Sequence, residues 1–364
     1  MDPINFNGIS PLLIPLQSIR IIGLMATAFL VTLFITPLWY QVLQKYHIGK
    51  QIRPAENAPV FHKFHEKKTG TPTAGGVIIW GTVIGLALLF ALLDALFGGI
   101  SRQFGFINFI DRGETYLPLA TLLIAALLGL VDDILGVLHI GTNGGGVKIR
   151  YKLVLYMFIA LIGAWWFYVR LEISQITVPL MGSFEIGPWY IPLFIFVIIA
   201  SAFSANETDG LDGLLGGVSL FAFGALTTVA FVLGRYHLAA FGGVMMGSLL
   251  AFLWHNIFPA KFFMGDTGSM ALGITLGVIA LLTDTTLLLP LFMFIPVLES
   301  LSVLAQMTSK KVFGRKIFKS APLHHHFEAL DWPESQITMR FWIISALACG
   351  LGLVIFFLDK FLLL

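Results

Sequence analysis

Ten long apolar segments dominate this chain, and they restrict it to a membrane fold. Each is close to the ~20 residues that a helix needs to cross a bilayer. Of the 364 residues, 57% are hydrophobic and only 12% are charged, which leaves too little polar surface to cover a soluble globule. We therefore predict an all-α polytopic membrane protein in which residues 1–364 form a single integral membrane domain. The predicted spans cover 19–40, 73–93, 115–131, 151–170, 189–206, 213–234, 237–255, 267–284, 286–306 and 337–359.

The remaining sequence excludes several other classes of protein. The net charge of +2 gives no electrostatic reason to expect a nucleic acid partner. One cysteine, Cys349, excludes a disulfide within one chain and a metal site built from several cysteines. The N-terminal residues lack the basic and short apolar regions of a cleaved signal peptide. Residues 171–188 alternate apolar and polar side chains, which predicts a short β-hairpin outside the membrane.

The distribution of Lys and Arg predicts the orientation of the spans. Loops rich in these residues stay on the cytoplasmic side of a bacterial membrane. If residues 41–72 are cytoplasmic, alternation also places 132–150, 207–212, 256–266 and 307–336 on that side, and both termini outside. That arrangement leaves only six of the 22 Lys and Arg on the outer side: Arg20, Arg102, Arg112, Arg170, Arg235 and Lys360.

Reactive polar residues concentrate in the loops that this orientation places inside. Asp132 and Asp133 end the third span. Such a pair is either a solvated helix end or a site in which one carboxylate, with its pKa raised by the other, acts as a general base. Residues 206–213 hold three acids, Glu207, Asp209 and Asp212, together with two glycines, between two spans. Either a capped turn or a metal or sugar site would use this composition.

Three further segments offer groups that suit a phosphorylated ligand. Asp266, between two glycines, is either a helix N-cap or a Mg²⁺ ligand. The neighbouring Phe262 and Phe263 could stack on a base or lie at the membrane interface. Residues 67–76 place lysine before a Gly- and Thr-rich turn at the start of the second span, where they could bind phosphate. The spacing of this segment does not match the phosphate loop of soluble nucleotidases.

A histidine triplet, 324–326, lies in the last predicted cytoplasmic loop. It could bind phosphate, bind a metal or relay protons. Adjacent histidines do not share one helix face, which argues against all three binding one ion. The cations before the triplet indicate a lipid-headgroup or topology cluster, or a site that attracts a phosphorylated substrate. These cations are Lys310, Lys311, Arg315, Lys316 and Lys319.

The joint placement of these segments favours phosphoryl transfer between a soluble anionic substrate and a lipid-borne one. Cations neutralise phosphate charge, and a carboxylate orients or deprotonates a nucleophile. A secondary transporter is the alternative from a different class, because acids within spans are its usual signature. Here the acids cluster at one interface, and Glu299 is the exception inside a span.

The motifs, in this order, resemble the polyprenyl-phosphate N-acetylhexosamine-1-phosphate transferases from about residue 45 onward. The shared motifs are 71–76 (TPTAGG), Asp132-Asp133, 206–213 (NETDGLDG) and 263–269 (FMGDTGS). The triplet within 322–328 (PLHHHFE), with 332–334 and 340–342, resembles the phospho-N-acetylmuramoyl-pentapeptide transferase branch in particular. Two positions depart from the pattern: Ala74 stands where Met is usual and Glu207 where Leu is usual. The 141–146 loop is also less basic than usual.

This resemblance implies a reaction and a setting. Phospho-MurNAc-pentapeptide would pass from UDP-MurNAc-pentapeptide to undecaprenyl phosphate, giving lipid I and UMP in the first membrane step of peptidoglycan synthesis, with Mg²⁺ as cofactor. The resemblance also implies ten spans with both termini outside and a homodimer in the bacterial cytoplasmic (inner) membrane. The active site would lie on the cytoplasmic face. The alternative within the superfamily is a sibling that uses UDP-GlcNAc.

The resemblance also implies the site residues. Asp266 would be the Mg²⁺ ligand, and Asp132 would deprotonate the lipid phosphate. The catalytic set would comprise Asp132, Asp133, Asp266 and His324. The substrate-binding set would comprise Lys68, Thr73, Lys152, Asn206, Asp209, Asp212, Asn256, Phe263, Gln306, His325 and His326. Lys152 fits the family's lysine better than Lys148, and Phe263 would stack on uracil.

Overall fold

The structure is a computed structural model that describes residues 12–49, 68–111, 113–140 and 146–361. The predicted cytoplasmic loop at 41–72 therefore lies partly outside the described residues, as does most of the glycine-rich segment 141–146. Thirteen α-helices are described: α1 Leu13–Lys45, α2 Val77–Phe97, α3 Arg102–Ile107, α4 Tyr116–Val137, α5 Ile149–Trp165, α6 Tyr190–Thr208, α7 Leu214–Val232, α8 Tyr236–Asn256, α9 Asp266–Leu282, α10 Leu289–Phe292, α11 Phe294–Phe313, α12 Leu323–Glu328 and α13 Glu334–Phe361.

The predicted all-α membrane architecture is confirmed. Eight described helices are long and apolar enough to cross a membrane: α1, α2, α4, α5 with its continuation to Arg170, α6, α7, α8 and α13. The apolar α9 is shorter, and it occupies the position of the eighth predicted span. The ninth predicted span, 286–306, is not one continuous helix, because the chain breaks at Met293 between α10 and α11.

Helix α9 lies at the centre of the bundle. Every residue from Thr267 to Leu282 is buried, and the helix packs against α4 and α6. Small residues permit this close packing. A Cβ added to Gly273 would lie 2.5 Å from the carbonyl oxygen of Ser201 on α6, a separation that real Cβ atoms essentially never show. The first residue of α9, Asp266, is thereby held at a fixed position at one end of the bundle.

The end of the bundle opposite Asp266 carries the hairpin. The predicted hairpin at 171–188 is confirmed as an antiparallel pair, β1 Gln175–Val178 and β2 Gly182–Glu185. Thr177 donates to the Asp284 carboxylate just after α9, and the Leu180 N–H donates to Asp359 at 2.7 Å near the end of α13. Helices α9 and α13 therefore both run from the end of the bundle that holds Asp266 toward the hairpin.

Candidate active site

Four side chains from four helices meet where α9 begins. The Lys152 Nζ lies 2.6 Å from Asp132 Oδ2 and also contacts Asp266 Oδ2. Asn206 Nδ2 donates to Asp266 Oδ1 at 2.8 Å and to Ser269 Oγ at 3.0 Å. The structure thus joins Asp132 to Asp266 through Lys152, and Asn206 to Asp266 directly. We refer to Asp132, Lys152, Asn206 and Asp266 as the acidic cluster.

The Asp133 side chain contacts the backbone of α9, whereas its neighbour Asp132 contacts Lys152. Its carboxylate accepts hydrogen bonds from the backbone N–H of Asp266 at 2.9 Å and of Thr267 at 3.0 Å. These are N–H groups of the first helical turn, which have no partner within the helix. The Asp133 carboxylate therefore caps α9 from a neighbouring helix and fixes the backbone that carries Asp266.

A glycine next to Asp266 makes this approach possible. Gly265 has φ +75°, and a Cβ there would lie 2.5 Å from Asp133 Oδ2. Any other residue would combine a strained backbone with a steric clash. The preceding segment is held by main-chain hydrogen bonds to the Thr-rich turn, from Gly75 N to Phe263 O and from Gly76 N to Met264 O, each 2.8 Å. The glycines of both motifs thus have a structural reason.

A second group of charges surrounds Lys68. Its Nζ lies 2.6 Å from Asp212 Oδ1 and 2.6 Å from Glu334 Oε1, and 5.8 Å from the centroid of the Phe263 ring. Glu334 Oε1 also accepts the Asp212 N–H at 2.7 Å, and Asp212 Oδ2 accepts the Ala260 N–H at 2.9 Å. Glu334 thus links the C-terminal helix α13 to the acid-rich turn. We refer to Lys68, Asp212, Phe263 and Glu334 as the Lys68 group.

Phe262 and Phe263 face different surroundings. Phe262 is buried against Phe252, so it belongs to the core. Phe263 is half-buried beside Lys68, where an aromatic ligand could stack on it. Asn256 is buried with both ends of its amide bonded to the main chain, to Gly213 N at 3.0 Å and to Phe262 O at 2.8 Å. Asn256 therefore orders the turns around the site.

Each histidine of the triplet has its own partner. His324 is buried, with Nδ1 3.2 Å from Glu299 Oε2, and its backbone N–H donates to the same carboxylate. His325 Nδ1 lies 2.6 Å from Glu328 Oε2. His326 Nδ1 accepts the Lys319 N–H at 3.1 Å. The three rings therefore contact three different partners.

Electrostatics favour a charged His324. Burial alone would lower its pKa, but the carboxylates of Glu299, Glu328 and Glu207 outweigh that effect and raise the pKa above its usual value. Glu207, which departs from the family pattern, therefore acts on the site electrostatically. Its contribution through space needs no direct hydrogen bond to the ring.

The other predicted substrate-binding residues lie at the same end of the bundle. Thr73 is buried, and its N–H donates to Ile48 O at 2.9 Å. Asp209 is the C-cap residue of α6 and is half-buried. Gln306 accepts the N–H groups of Ile317 and Phe318 and donates to Phe318 O, so its amide orders the loop after α11. A role for these residues in binding substrate stays a prediction.

The donor set at the acidic cluster fits a Mg²⁺ ion. Mg²⁺ is commonly held by one or two carboxylates together with substrate phosphates and water. Asp132 and Asp266 point at one cation, the Lys152 ammonium, so two carboxylates already converge on a point of positive charge. Among the described residues, no group of three or more His, Cys, Asp or Glu side chains could hold a metal by itself. Substrate oxygens would complete the coordination.

Sequence analysis missed several contributors to the site. Glu334 lies in the 332–334 segment, where the sequence indicates no role for it, yet it bonds Lys68 and Asp212. Ser269 follows Asp266 by three residues and bonds Asn206. Glu299 was placed inside a span, and it is the buried partner of His324. An acid in an apolar helix indicates that its side chain has a polar partner. The sequence does not show which residue that partner is.

Comparisons with known proteins agree with this arrangement. A family model described as glycosyl transferase family 4 matches residues 115–284, which include the whole acidic cluster. The phospho-N-acetylmuramoyl-pentapeptide-transferase of Chloroflexus aurantiacus is 36% identical over 347 residues, covering 92% of this chain and 89% of that protein. The protein of the same name from a Geobacillus species is 35% identical over 345 residues, covering 93% of this chain and 98% of its own length.

This chain belongs to the phospho-N-acetylmuramoyl-pentapeptide transferase family. The relatives match almost the full length, so the Lys68 group and the histidine triplet fall within the similarity as well as the acidic cluster. Membership of this family favours the transferase over the transporter. It also favours the muramoyl-pentapeptide branch over the sibling that uses UDP-GlcNAc.

Proposed function

We propose that this transferase moves phospho-MurNAc-pentapeptide from UDP-MurNAc-pentapeptide to undecaprenyl phosphate, forming lipid I and UMP. An oxygen of the acceptor phosphate forms a bond to the sugar-linked phosphorus of the donor. The bond from that phosphorus to the bridging oxygen breaks, and UMP leaves with that oxygen. The observation that carries this proposal is the convergence of Asp132, Lys152, Asn206 and Asp266 at one end of a membrane bundle.

Asp132 and Lys152 have complementary roles at the acceptor phosphate. A carboxylate within reach of that phosphate removes its remaining proton and leaves a better nucleophile. Asp132 is buried and already paired with Lys152, so it is held in one orientation. The Lys152 ammonium offers positive charge to phosphate oxygens when the substrates enter. Asp133 positions Asp266 by capping α9.

The residue proposed to hold Mg²⁺ is Asp266, while Asp132, which faces the same point, stays the proposed base. When bound, the ion neutralises charge on the donor diphosphate. Asn206 keeps the Asp266 carboxylate oriented through its 2.8 Å hydrogen bond. Without a positive group between them, the two carboxylates would repel each other.

The Lys68 group would receive the nucleoside part of the donor. Phe263 presents a half-buried ring beside a lysine, which suits stacking of uracil with a phosphate nearby. Asp209 and Asp212 would accept hydrogen bonds from ribose or sugar hydroxyls. His324, with its raised pKa, would lie on the side of the diphosphate, with His325 and His326 on the same short helix.

A single displacement accounts for the chemistry with the fewest groups, since one base and a metal suffice. A covalent aspartyl intermediate is the alternative for an adjacent carboxylate pair. The structure gives Asp133 a capping position rather than a free nucleophilic one. Incubation with donor alone tests the choice: a protein adduct carrying the phospho-sugar would contradict the single displacement.

The proposed setting is the bacterial inner membrane, with the site on its cytoplasmic face. The excess of Lys and Arg in the loops at the site end of the bundle supports that orientation. A soluble nucleotide sugar would meet a lipid phosphate at this interface. We also propose that the transferase works as a homodimer, as the resemblance of its motifs implies.

The experiment that tests the function is a release assay with defined donors. Purified transferase in detergent receives undecaprenyl phosphate, Mg²⁺ and either UDP-MurNAc-pentapeptide or UDP-GlcNAc. We expect UMP and a lipid-linked product from the first donor and none from the second. Turnover with UDP-GlcNAc alone would replace the proposed substrate by that of the sibling enzymes.

A further inference from the structure

The end of α11 and the loop after it form a cationic surface. Between Glu299 and Glu328 the sequence contains no acidic residue. In that stretch five basic residues, all exposed, fall within ten positions: Lys310, Lys311, Arg315, Lys316 and Lys319. We call these five residues the α11 basic surface. In the part of the chain that the structure describes, no ion pair to an acid is recorded for any of them.

Large apolar side chains lie between these cations. Met307, Val312, Phe313 and Ile317 are each more than half exposed. Exposed apolar residues in a water-facing loop are unfavourable, whereas at the level of lipid headgroups they enter the acyl boundary. Lysine and arginine stems can lie along such a surface while the charged ends reach the headgroups.

Helix α11 itself turns its polar side inward. Its buried residues include Glu299, Ser300, Ser302, Gln306 and Ser309. Leu301, Leu304 and Met307 are exposed. A helix with this inverted distribution has lipid rather than water against its outer face. The basic surface therefore continues a lipid-facing helix at its headgroup end.

The loop is held in place against the helix. Gln306 Oε1 accepts the N–H groups of Ile317 and Phe318, both at 3.0 Å. Ser309 Oγ donates to Arg315 O at 2.8 Å. These bonds fold the loop back beside the last turn of α11, so the cations of the helix and those of the loop share one surface. An ordered surface loses less conformational entropy on binding than a mobile tail does.

From this geometry we infer that the α11 basic surface binds the anionic headgroups of membrane phospholipids. Five cations without acidic partners complement a negative lipid surface, and the interleaved apolar residues fit its acyl boundary. The inference is independent of the proposed reaction, because lipid binding is measured without donor or acceptor. Its failure would leave the proposed function as it stands.

The test measures lipid binding to the full-length protein by native mass spectrometry. Phosphatidylglycerol and phosphatidylcholine with identical acyl chains are titrated separately. Two paired variants, Lys310→Gln/Lys311→Gln and Arg315→Gln/Lys316→Gln, are compared with Lys45→Gln/Lys148→Gln. This last pair removes two exposed charges that lie outside the α11 basic surface, at the end of α1 and just before α5. Thermal melting establishes that each variant is folded, and the two single Gln variants replace any pair that is not.

We expect the unmodified protein to prefer phosphatidylglycerol. Each test pair should weaken phosphatidylglycerol binding about 10- to 30-fold, since one surface cation contributes about fivefold. The control pair and phosphatidylcholine binding should change little. Equal binding of the two lipids, or an equal loss in the control pair, would overturn the inference. Displacement by soluble glycerol phosphate would also overturn it, because the surface would then recognise phosphate groups rather than a membrane.

Discussion

The carboxylate of Asp133 accepts the backbone N–H of Asp266 at 2.9 Å, so two aspartates from distant motifs share one helix start. Asp133 also accepts the Thr267 N–H at 3.0 Å. Both bonds come from backbone N–H groups, so they hold the main chain that carries the proposed metal ligand, whatever rotamer the Asp266 side chain adopts. The position of Asp266 therefore depends on Asp133.

Asp133→Asn should weaken Mg²⁺ use. An amide offers one accepting oxygen instead of two and no negative charge to the N-terminus of α9. We expect the Mg²⁺ concentration for half-maximal UMP release to rise about tenfold, with a loss of roughly 1–2 kcal/mol of stability. Asp111→Asn is the matched control, because Asp111 accepts the Gly113 N–H at 2.9 Å at the other end. An equal Mg²⁺ shift in the control would contradict the positioning role.

Lys152→Gln should make the stability of the protein depend on Mg²⁺. Removing the ammonium leaves the Asp132 and Asp266 carboxylates facing each other without compensation. We expect the melting temperature in EDTA to fall by several degrees, and Mg²⁺ to restore most of the loss by binding the folded state. Lys148→Gln, at an exposed position before α5, should show neither effect. A Lys152→Gln variant whose melting ignores Mg²⁺ would contradict the proposed metal position.

Glu334→Gln should act on the donor rather than the acceptor. The change removes the charge that pairs with Lys68 and weakens the bond to the Asp212 N–H. We expect the KM for UDP-MurNAc-pentapeptide to rise about tenfold, a loss of ~1.4 kcal/mol, while the KM for undecaprenyl phosphate stays within twofold. The nearby exposed Asp331→Asn serves as the control. Equal changes in both KM values would argue against a nucleoside site around Lys68.

The pair of His324 and Glu299 should give the protein a pH-dependent stability. The pKa of His324 in the folded protein is raised, so its contribution is fully present below the unfolded pKa of about 6.5. The contribution is lost as the pH rises through the folded value. We expect the melting temperature to fall from pH 6 to pH 9 and this slope to flatten in Glu299→Gln. Glu172→Gln, at an exposed position, should keep the original slope.

The sequence patterns predicted the positions of the helices better than the contacts between them. The length of the apolar segments located the helices, because it follows from local composition and the thickness of the bilayer. The break at Met293 was missed, since an apolar run looks the same whether or not its helix is continuous. The difference between Asp132 and Asp133 was missed for another reason. Adjacent residues on a helix point in different directions, and only the packing of α4 against α9 decides what each one meets.

The sequence motifs predicted which loops form the site, but not which side chains contact one another there. They grouped Asp132, Asn206 and Asp266, and the structure joins both Asn206 and, through Lys152, Asp132 to Asp266. They did not assign Glu334 a partner, because its bonds to Lys68 and Asp212 cross more than a hundred residues of chain. Gln306 shows the opposite case, in which a residue implied by resemblance has its amide engaged by the main chain of a loop.

The most direct test of the acidic cluster is the rate of UMP release from UDP-MurNAc-pentapeptide by Asp266→Asn at saturating Mg²⁺. Asn is nearly the same size and keeps an oxygen for Asn206, so the fold and membrane insertion should persist. We expect the rate to fall by about a thousandfold or more, because a charged metal ligand beside the reacting diphosphate is lost. A folded variant that retains more than about a tenth of the unmodified rate would contradict the proposal that Asp266 holds the metal.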